Sequence, residues 1–359
     1  MNIEKILSVA VRGGASDIIL KIGALPRFRY YGDIIDLTDG LPVTTEMMHD
    51  WIAKLVPKRL WPQLTEVADL DFSYTSEKGF RFRANLFRQR DSFSLVMRVV
   101  NNHIKTMEEL QLPKVMQNIP KEHRGLVLVT GATGSGKSTT LASIVEKINL
   151  SRHSHILTIE DPIEFIFKEK KATISQREIG VDTLSFADAL RSALRQNPDI
   201  ILVGELRDKE TTETALMAAE TGHLVLSTLH TMDAVETVTR LLTYFPPHQH
   251  ASVRSLLAQT LRYVISQRLI PKKDEKGQVP ALEILINNEA VREHISQGED
   301  ASVLRDFIRN GHQNYGMQSF DQSLFDLFER GIISRKTALE YASNPKDLEL
   351  AMSGFASSV

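Results

Sequence analysis

The sequence predicts an α/β protein in which a small, strand-rich N-terminal domain precedes a larger domain built on a parallel sheet. Three observations support this prediction. Short β-rich segments dominate the first 100 residues, strand-like and helix-like segments alternate from Arg124 onward, and a glycine-rich loop joins the first strand and helix of that second part. We place the N-terminal domain at residues 1–100, a polar linker at 101–120 and the second domain at 121–359.

The composition is that of an ordinary globular protein and excludes several kinds of site. The chain has 359 residues, a formal net charge of -2 and 42% hydrophobic residues, a balance typical of a folded protein of two domains. The absence of cysteine excludes disulfides, Fe–S clusters, cysteine zinc sites and a thiol nucleophile. The near-neutral charge argues against nucleic acid as a partner. The apolar runs are far shorter than the ~20 residues of a membrane-spanning helix, so we expect a cytoplasmic protein with no direct membrane insertion.

The N-terminal domain is predicted to be a sheet with one helix, about Glu46–Leu55. The predicted strands are Ile18–Ile22, Arg27–Tyr31, Ile34–Leu37, Leu70–Thr75, Phe80–Phe87 and Phe93–Val100. In the last two strands apolar and polar residues alternate, so that Arg81, Arg83 and Arg98 lie opposite the apolar face. The pattern predicts an α+β domain whose sheet has an arginine-bearing face.

The second domain is predicted to contain four buried parallel strands, because each is a nearly continuous apolar run. They are Leu126–Thr130, Ile156–Ile159, Ile200–Val203 and Leu224–Thr228. Amphipathic spacing and capping residues predict the connecting helices, which are Lys137–Asn149, a helix that opens at Ser185, and Lys209–Thr221. Beyond residue 245 we expect mainly helices, interrupted by a strand near Ala281–Ile286. These helices are about Gln249–Leu269, Val303–Arg309, Phe320–Arg330 and Ser334–Ala342.

A glycine-rich segment connects the first of these strands to the helix that follows it. Its sequence is Gly131-Ala132-Thr133-Gly134-Ser135-Gly136-Lys137-Ser138, which matches the phosphate-binding pattern G-x-x-x-x-G-K-[ST]. Glycines let backbone N–H groups surround phosphates, Lys137 places a positive charge against the β- and γ-phosphates, and the Ser138 hydroxyl can ligate Mg²⁺. The residues therefore predict a site for ATP and Mg²⁺. A chance glycine-rich turn is the alternative, and the flanking strand and helix argue against it.

Polar residues follow the other three predicted strands of this domain. Glu160, Asp161 and Glu164 come after the second strand, Glu205 after the third and His230 after the fourth. Because ligands bind at the carboxyl ends of parallel strands, we expect these side chains to lie near the glycine-rich loop. A solvated loop is the ordinary alternative for a single glutamate, but four strand ends together favour one site.

The roles of these residues follow from their charges. Phosphoryl transfer to water needs a group that orients the attacking water and a group that holds the metal. We assign the first role to Glu205, because we expect its strand to adjoin the strand before the glycine-rich loop. Glu164 and Asp161 are candidates for holding the water or the hydrated Mg²⁺, and Glu164 is the alternative base. His223 and His230 are candidate sensors of the γ-phosphate, with histidines packed in loops as the alternative.

Arginines are candidates for a contribution from another subunit. Arg81, Arg83 and Arg98 could supply positive charge to a nucleotide bound by a neighbouring copy, since phosphoryl transfer develops negative charge. A solvated sheet face is the alternative for all three. Arg240 has the same two interpretations, a cation on a helix surface or a residue near the nucleotide at an interface.

Taken together, these motifs resemble those of the secretion ATPase superfamily and, within it, the PilT/PilU type of pilus retraction motor. The resemblance spans nearly the whole chain. Five segments carry it: Gly131–Thr139, Ile159–Glu164, Leu194–Arg207, Thr221–Thr231 and Gly316–Leu324.

The resemblance implies a PAS-like N-terminal domain, a RecA-like P-loop NTPase domain and a homo-hexamer with ATP bound between the domains. It assigns Glu205 to an atypical Walker B position, Glu164 to an acidic box and His230 to a histidine box. It also matches Arg83 and Arg98 to arginines that reach the phosphates in the family.

The function implied by the resemblance is that of an ATP-hydrolysing hexameric motor for type IV pilus retraction and twitching motility. Such a motor works at the inner face of the cytoplasmic membrane with an inner-membrane pilus platform protein. The segment Val303–Asn310 keeps two arginines of the family's A-I-R-N-L-I-R-E segment but ends in Asn310 instead of Glu. That departure favours an accessory, PilU-like motor that works with a paralogous retraction ATPase, or a divergent PilT paralogue, and it argues against independent retraction but not against ATP hydrolysis.

Three other functions compete with retraction. A RecA-like nucleic-acid motor is disfavoured by the near-neutral charge and the lack of an aromatic–basic patch. An extension or secretion ATPase usually carries a tetracysteine metal insert, which a chain without cysteine lacks. A nucleotide-binding regulatory or accessory subunit with little turnover of its own is the remaining alternative, and the intact Lys137, Ser138 and Glu205 argue against it.

Overall fold

The computed structural model describes residues 2–30, 32–38, 40–65, 68–100, 103–274 and 277–354. The chain divides into two compact units, of which the first is Met1–His103 with Glu164–Ile166 and the second is Ile104–Ile163 with Phe167–Val359. The segment proposed as a linker falls in the second unit from Ile104 onward. Its first two residues, 101 and 102, lie outside the described residues, as does Tyr31 at the end of a predicted strand.

The first unit contains one antiparallel sheet and helices that pack against it. Its helices are α1 (Ile3–Gly13) and α2 (Thr45–Leu55), with a 3-10 helix at Lys58–Thr65. Its strands are β1 (Asp17–Lys21), β2 (Arg27–Tyr30), β3 (Asp33–Asp36), β4 (Asp69–Thr75), β5 (Arg81–Gln89) and β6 (Ser92–Val99). Among the described residues the strand order is β3-β2-β1-β6-β5-β4.

Helix α1 is absent from the sequence prediction, which placed a single helix in this unit. It begins after Asn2, whose side chain accepts a hydrogen bond from the N–H of Glu4 at 2.9 Å. Ile3, Ile6, Leu7 and Ala10 are all buried, and their i, i+3, i+4, i+7 spacing is that of one helix face.

The alternation predicted for the last two strands of this sheet is confirmed. Phe82, Leu86 and Met97 are buried in the core of the unit, whereas Arg83 and Arg98 lie on exposed positions of the same strands. The sheet therefore has one apolar and one arginine-bearing face.

The second unit is built on a mixed sheet flanked by helices. Its strands are β7 (Gly125–Thr130), β8 (His155–Glu160), β9 (Thr173–Glu178), β10 (Ile200–Val203), β11 (Leu224–Leu229), β12 (Leu261–Pro271) and β13 (Gln278–Ile286). Its helices are α3 (Lys137–Ser151), α4 (Phe186–Ala193), α5 (Lys209–Glu220), α6 (Ala234–Thr243), α7 (His250–Thr260), α8 (Glu289–Gln297), α9 (Leu304–Asn310), α10 (His312–Tyr315), α11 (Phe320–Glu329), α12 (Arg335–Tyr341) and α13 (Pro345–Met352). Short 3-10 helices lie at Lys114–Lys121, Pro247–Gln249 and Ala301–Val303.

The strand order of the second sheet corrects one expectation. In the described residues the order is β13-β12-β7-β11-β10-β8-β9, with every pairing parallel except that of β12 with β13. The strand that leads to Glu205, β10, therefore does not adjoin β7, because β11 lies between them. Strand neighbours that are distant in sequence are a common result of crossover connections in parallel sheets.

The helix predicted for Gln249–Leu269 is wrong in its second half. Helix α7 ends at Thr260, and the chain continues directly as β12, which pairs with β7 on one side and β13 on the other. No glycine or proline separates the two elements, so the change has no local signal. Pairing with two strands overrides the local preference.

The cores of both units are apolar. The main core of the second unit packs α4, α5, α6 and α7 against the sheet, and a smaller cluster packs α11, α12 and α13 against β12 and β13. Across the ranges that the structure describes, no helix is both long and apolar enough to cross a membrane.

Candidate active site

The glycine-rich loop connects β7 to α3 in the second unit, as predicted. Gly131, Gly134 and Gly136 adopt positive φ angles of 139°, 80° and 86°, a region that L side chains rarely adopt. Lys137 begins α3 and is 8% exposed. Its Nζ donates hydrogen bonds to the carbonyl oxygens of Gly131 at 2.8 Å and Ala132 at 2.9 Å. The lysine ammonium is therefore held against the loop by its own backbone.

The loop has the features that a bound phosphate chain requires. Gly136 caps α3 without any side-chain hydrogen bond, and the first turn of the helix contains no acidic residue. The buried Oγ of Ser135 has no hydrogen-bond partner, and nothing lies within 4 Å of a Cβ built on the exposed Gly134. Uncapped N–H groups at a helix N-terminus and an unsatisfied hydroxyl suit an anionic ligand. Ser138 and Thr139 follow in the first turn of α3, where hydroxyl groups can reach a metal ion and phosphate oxygens.

A cavity of about 310 Å³ adjoins the loop within the second unit. Its lining includes Gly136, Thr139 and Gln267 together with Lys105 and Lys272. Its position gives room beside the loop for a group attached to the phosphates.

Glu205 lies at the carboxyl end of β10, two strand positions from β7. With ~4.8 Å between neighbouring strands, the two strand ends are about 10 Å apart. The carboxylate of Glu205 is 11% exposed, and it pairs with Arg207 and with the Nε2 of His230 at 3.3 Å. Contacts with Arg207 and His230 hold this nearly buried carboxylate at the carboxyl end of the sheet.

A second cavity, of about 380 Å³, opens at these strand ends. Glu205, His230 and Arg240 all line it, together with Arg207 and Tyr244. The guanidinium of Arg240, on α6, lies 5.4 Å from the ring centroid of Tyr244, whose hydroxyl donates a hydrogen bond to the carbonyl oxygen of Leu206 at 3.0 Å. The structure thus brings together Glu205, His230 and Arg240.

The acidic segment after β8 lies further from the loop. Strand β8 is three positions from β7, or about 14 Å at standard spacing. Asp161 is exposed directly after the strand. The side chain of Glu160 is engaged, because its Oε1 accepts hydrogen bonds from Thr158 at 2.7 Å and Gln176 at 3.2 Å. Glu164 is exposed and belongs to the first unit.

His223 lies at the wrong end of the sheet to act on a phosphate. It precedes β11 and therefore sits at the amino end of the strand, whereas His230 follows the strand at its carboxyl end. Six residues of extended strand separate the two ends by about 20 Å. The Nδ1 of His223 is 2.9 Å from the carbonyl oxygen of Ala218, and the structure does not bring this histidine to the phosphate-binding loop of its own chain.

On the first unit, four charged residues form a row across the exposed sheet face. Register pairs Arg29 with Asp17, Asp17 with Arg98 and Arg98 with Arg83 on four successive strands. The Nε of Arg98 donates to Asp17 at 3.0 Å, and the Nε of Arg29 lies 3.4 Å from the other oxygen of the same carboxylate. Asp17 is 8% exposed, so a nearly buried carboxylate holds two exposed arginines.

No sequence pattern indicates a functional role for Arg207, Asp17 or Gln267. Arg207 follows Glu205 by two residues in a loop, which carries no periodic pattern. Asp17 is placed by strand pairing with a residue 81 positions away. Gln267 was assigned to a helix. Arg207 could have been identified from the sequence only by considering each charged residue close to Glu205.

The chain is similar to known proteins over most of its length. Residues 59–315 match the family model described as type II/IV secretion system protein. The chain is 44% identical over 349 residues to the type IV pilus retraction ATPase PilT of Pseudomonas aeruginosa, covering 97% of this chain and 100% of that protein. It is 35% identical over 350 residues to the type IV pilus ATPase PilU of the same organism, covering 98% and 91%.

A solved structure is also similar over nearly the whole chain. The crystal structure of the pilus retraction motor PilT with bound ADP superimposes with a TM-score of 0.89 at 43% sequence identity, covering 97% of this chain and 99% of that one. This likeness confirms the predicted fold class, an α/β protein with a PAS-like α+β domain followed by a RecA-like P-loop domain.

Proposed function

This chain belongs to the type II/IV secretion system protein family, and we propose on that premise that it is an ATPase that powers type IV pilus retraction. Two features at the carboxyl end of the second sheet support the ATPase activity. The phosphate-binding loop follows β7, and the cavity with Glu205, His230 and Arg240 lies two strands away. The similarity to a pilus retraction ATPase over 97% of the chain supports the biological role.

The loop binds the phosphates of ATP. Its N–H groups and the N-terminus of α3 surround the anion, and the Lys137 ammonium exchanges its contacts with the carbonyls of Gly131 and Ala132 for phosphate oxygens. Ser138 is the residue of the loop that would hold Mg²⁺. When bound with the nucleotide, the metal neutralises charge that develops on the phosphoryl group. The cavity beside Gly136 and Thr139 receives the nucleoside.

Hydrolysis takes place beyond the carboxyl ends of the strands, where the ends of β7 and β10 lie about 10 Å apart on either side of β11. There the carboxylate of Glu205 accepts a proton from the water that attacks the phosphoryl group. Arg207 and His230 orient that carboxylate, and Arg240 adds positive charge to the same cavity. Glu164 stays the alternative base.

The arginine row completes the site from a neighbouring subunit. Arg83 and Arg98 are exposed on the first unit, and Asp17 fixes the direction of Arg98. In a homo-hexamer these guanidinium groups would approach a phosphoryl group held by the next copy, where positive charge stabilises the transition state. The ring would act at the inner face of the cytoplasmic membrane on a pilus platform protein, alone or beside a paralogous ATPase. The 44% identity to PilT against 35% to PilU favours a primary retraction motor over a PilU-like accessory one.

Two substitutions test the proposed activity. Lys137→Ala should abolish nucleotide binding and turnover together. Glu205→Gln should leave ATP affinity near that of the wild type and lower kcat by about a hundredfold or more, since it removes a general base. Glu77→Gln is the matched control, because Glu77 is a 69% exposed carboxylate in the first unit that pairs with Lys54. Nucleotide binding is measured by fluorescence titration and turnover by phosphate release.

The outcomes separate the candidate functions. A wild-type protein that binds ATP without hydrolysing it would be a regulatory nucleotide-binding subunit. Unchanged kcat in Glu205→Gln would move the base to Glu164. Pilus retraction is tested apart from ATPase activity, by deleting the gene and scoring pilus length and surface motility with and without a paralogous motor. Normal motility in both backgrounds would refute the retraction role.

A further inference from the structure

Gln267 is a buried amide that contacts the phosphate-binding loop from a neighbouring strand. It lies on β12, which pairs in parallel with β7, and it is 2% exposed. A buried polar side chain in a sheet core is unfavourable unless it is hydrogen-bonded. Its partners therefore indicate why a glutamine is present here.

Both ends of the amide bond to the loop or to the helix that follows it. The Nε2 of Gln267 donates to the carbonyl oxygen of Ser135 at 2.6 Å. Its Oε1 accepts from the Oγ1 of Thr140 on α3 at 2.7 Å. One side chain thus links the last turn of the loop to the first turn of the helix.

The same residue packs against two of the loop glycines. A Cβ at Gly131 would lie 2.4 Å from the backbone oxygen of Gln267, and a Cβ at Gly136 would lie 2.7 Å from its Nε2. Real Cβ atoms essentially never approach that closely. The backbone of the loop approaches Gln267 at both ends, so this residue sets the shape of the whole turn.

We propose that Gln267 is a positioning residue that holds the phosphate-binding loop in the conformation that receives a nucleoside triphosphate. The proposal rests on the ATPase function proposed above. The amide keeps the carbonyl of Ser135 directed toward β12 and ties Thr140 so that α3 begins at a fixed position. A loop that is ordered before binding needs no ordering when the ligand arrives, which strengthens binding.

The first test removes the two hydrogen bonds and leaves the shape of the side chain. Gln267→Leu and Thr140→Val are compared with Asn287→Leu, a control for the loss of a buried amide. Asn287 is 6% exposed in the same unit and donates to the carbonyls of Ala258 and Leu261 at 2.8 and 2.9 Å. Affinity for a fluorescent ATP analogue with Mg²⁺, KM and kcat are measured below the melting temperature of every variant.

We expect Gln267→Leu to weaken nucleotide affinity by roughly tenfold to a hundredfold, the range set by leaving a buried carbonyl and hydroxyl unpaired. Thr140→Val should show a smaller loss, because one of the two bonds remains. Asn287→Leu should lower the melting temperature by a similar amount and leave affinity within about twofold of the wild type. Equal affinity in Gln267→Leu and Asn287→Leu would overturn the proposal and reduce Gln267 to a core residue.

The second test uses Gln267→Glu and keeps the proposal testable should the leucine variant not fold. A protonated carboxyl group reproduces both bonds of the amide, donating to Ser135 and accepting from Thr140, whereas the ionised group has no proton to donate. Burial raises the pKa of a carboxyl group. We expect the nucleotide affinity of the Gln267→Glu protein, taken as a ratio to that of the wild type at the same pH, to approach one at low pH and to fall as pH rises. A constant ratio between the two proteins would overturn the proposal.

These results are distinguishable from a failure of the ATPase function. If the wild-type protein binds no nucleotide, the proposed function fails whatever the variants do. If the wild type binds and hydrolyses ATP and the Gln267 variants match it, only the positioning role fails.

Discussion

Glu283 is a buried carboxyl group whose protonation should change stability near neutral pH. It lies on β13, is 8% exposed, and its Oε1 accepts a hydrogen bond from the N–H of Ala234 at 2.8 Å. Burial raises its pKa from the ordinary 4.5 to about 7, and the neighbouring Asp233 adds to the increase. The hydrogen bond from Ala234 and the charges of Arg268 and Arg305 oppose it.

The direction of the pH effect follows from the two pKa values. Between pH 4.5 and 7 the folded protein keeps a proton on Glu283 that the unfolded chain has released, so the free energy of unfolding falls as pH rises. The stabilisation is complete below pH 4.5 and is lost as pH rises through about 7. This difference between the folded and unfolded pKa values corresponds to roughly 3 kcal/mol, most of which is lost between pH 5 and pH 8.

Glu283→Gln isolates this contribution because the amide oxygen can still accept the hydrogen bond from Ala234 but does not titrate. Urea unfolding of the wild type and the variant is measured at intervals from pH 5 to pH 8. The difference in unfolding free energy between the two proteins should change by roughly 2 to 3 kcal/mol over that range, with the wild type losing more. If the unfolding free energies of the two proteins changed equally with pH, the pKa of Glu283 would be ordinary and its burial would not disfavour the charged form.

Two further predictions concern the nucleotide site. Arg98→Ala should lower turnover. Mixing the Arg98→Ala and Glu205→Gln proteins should restore activity at sites that combine an intact Glu205 with a neighbour's Arg98. If the mixture releases no more phosphate than the sum of the two separate proteins, Arg98 does not act between subunits. Gly136→Ala should weaken nucleotide binding by roughly tenfold or more, because its φ of 86° and the 2.7 Å approach to Gln267 both oppose a Cβ. Gly79→Ala, which has a φ of 77° and nothing within 4 Å, is its control, and equal nucleotide titrations for the two would contradict the steric account.

The parts of the site that depend on local sequence could be predicted. The glycine-rich loop is contiguous, and its flanking strand and helix follow from short apolar runs and capping residues. Glu205 and His230 could be brought together because parallel strands place their carboxyl ends on one edge. The positions of the loop, Glu205 and His230 depend only on where each strand ends, and the residues of each strand indicate that end.

Properties that depend on which strands are neighbours could not be predicted. The insertion of β11 between β7 and β10 separates the loop from Glu205 by two strand positions, and no residue in those strands encodes that order. The salt bridge between Asp17 and Arg98 depends on the pairing of β1 with β6. Gln267 was hidden because α7 continues into β12 without a turn residue, so the register that aims its amide at the loop was invisible.

The alternation in the first sheet makes the exposure of its arginines inseparable from the hydrophobic register. Phe82 and Met97 are fully buried one residue away from Arg83 and Arg98 on the same two strands. A slip of one residue in β5 or β6 would turn guanidinium groups into the core and bring aromatic and thioether side chains into solvent. Any substitution that weakens the packing of Phe82 or Met97 in the core is therefore expected to disturb the exposure of Arg83 and Arg98 as well.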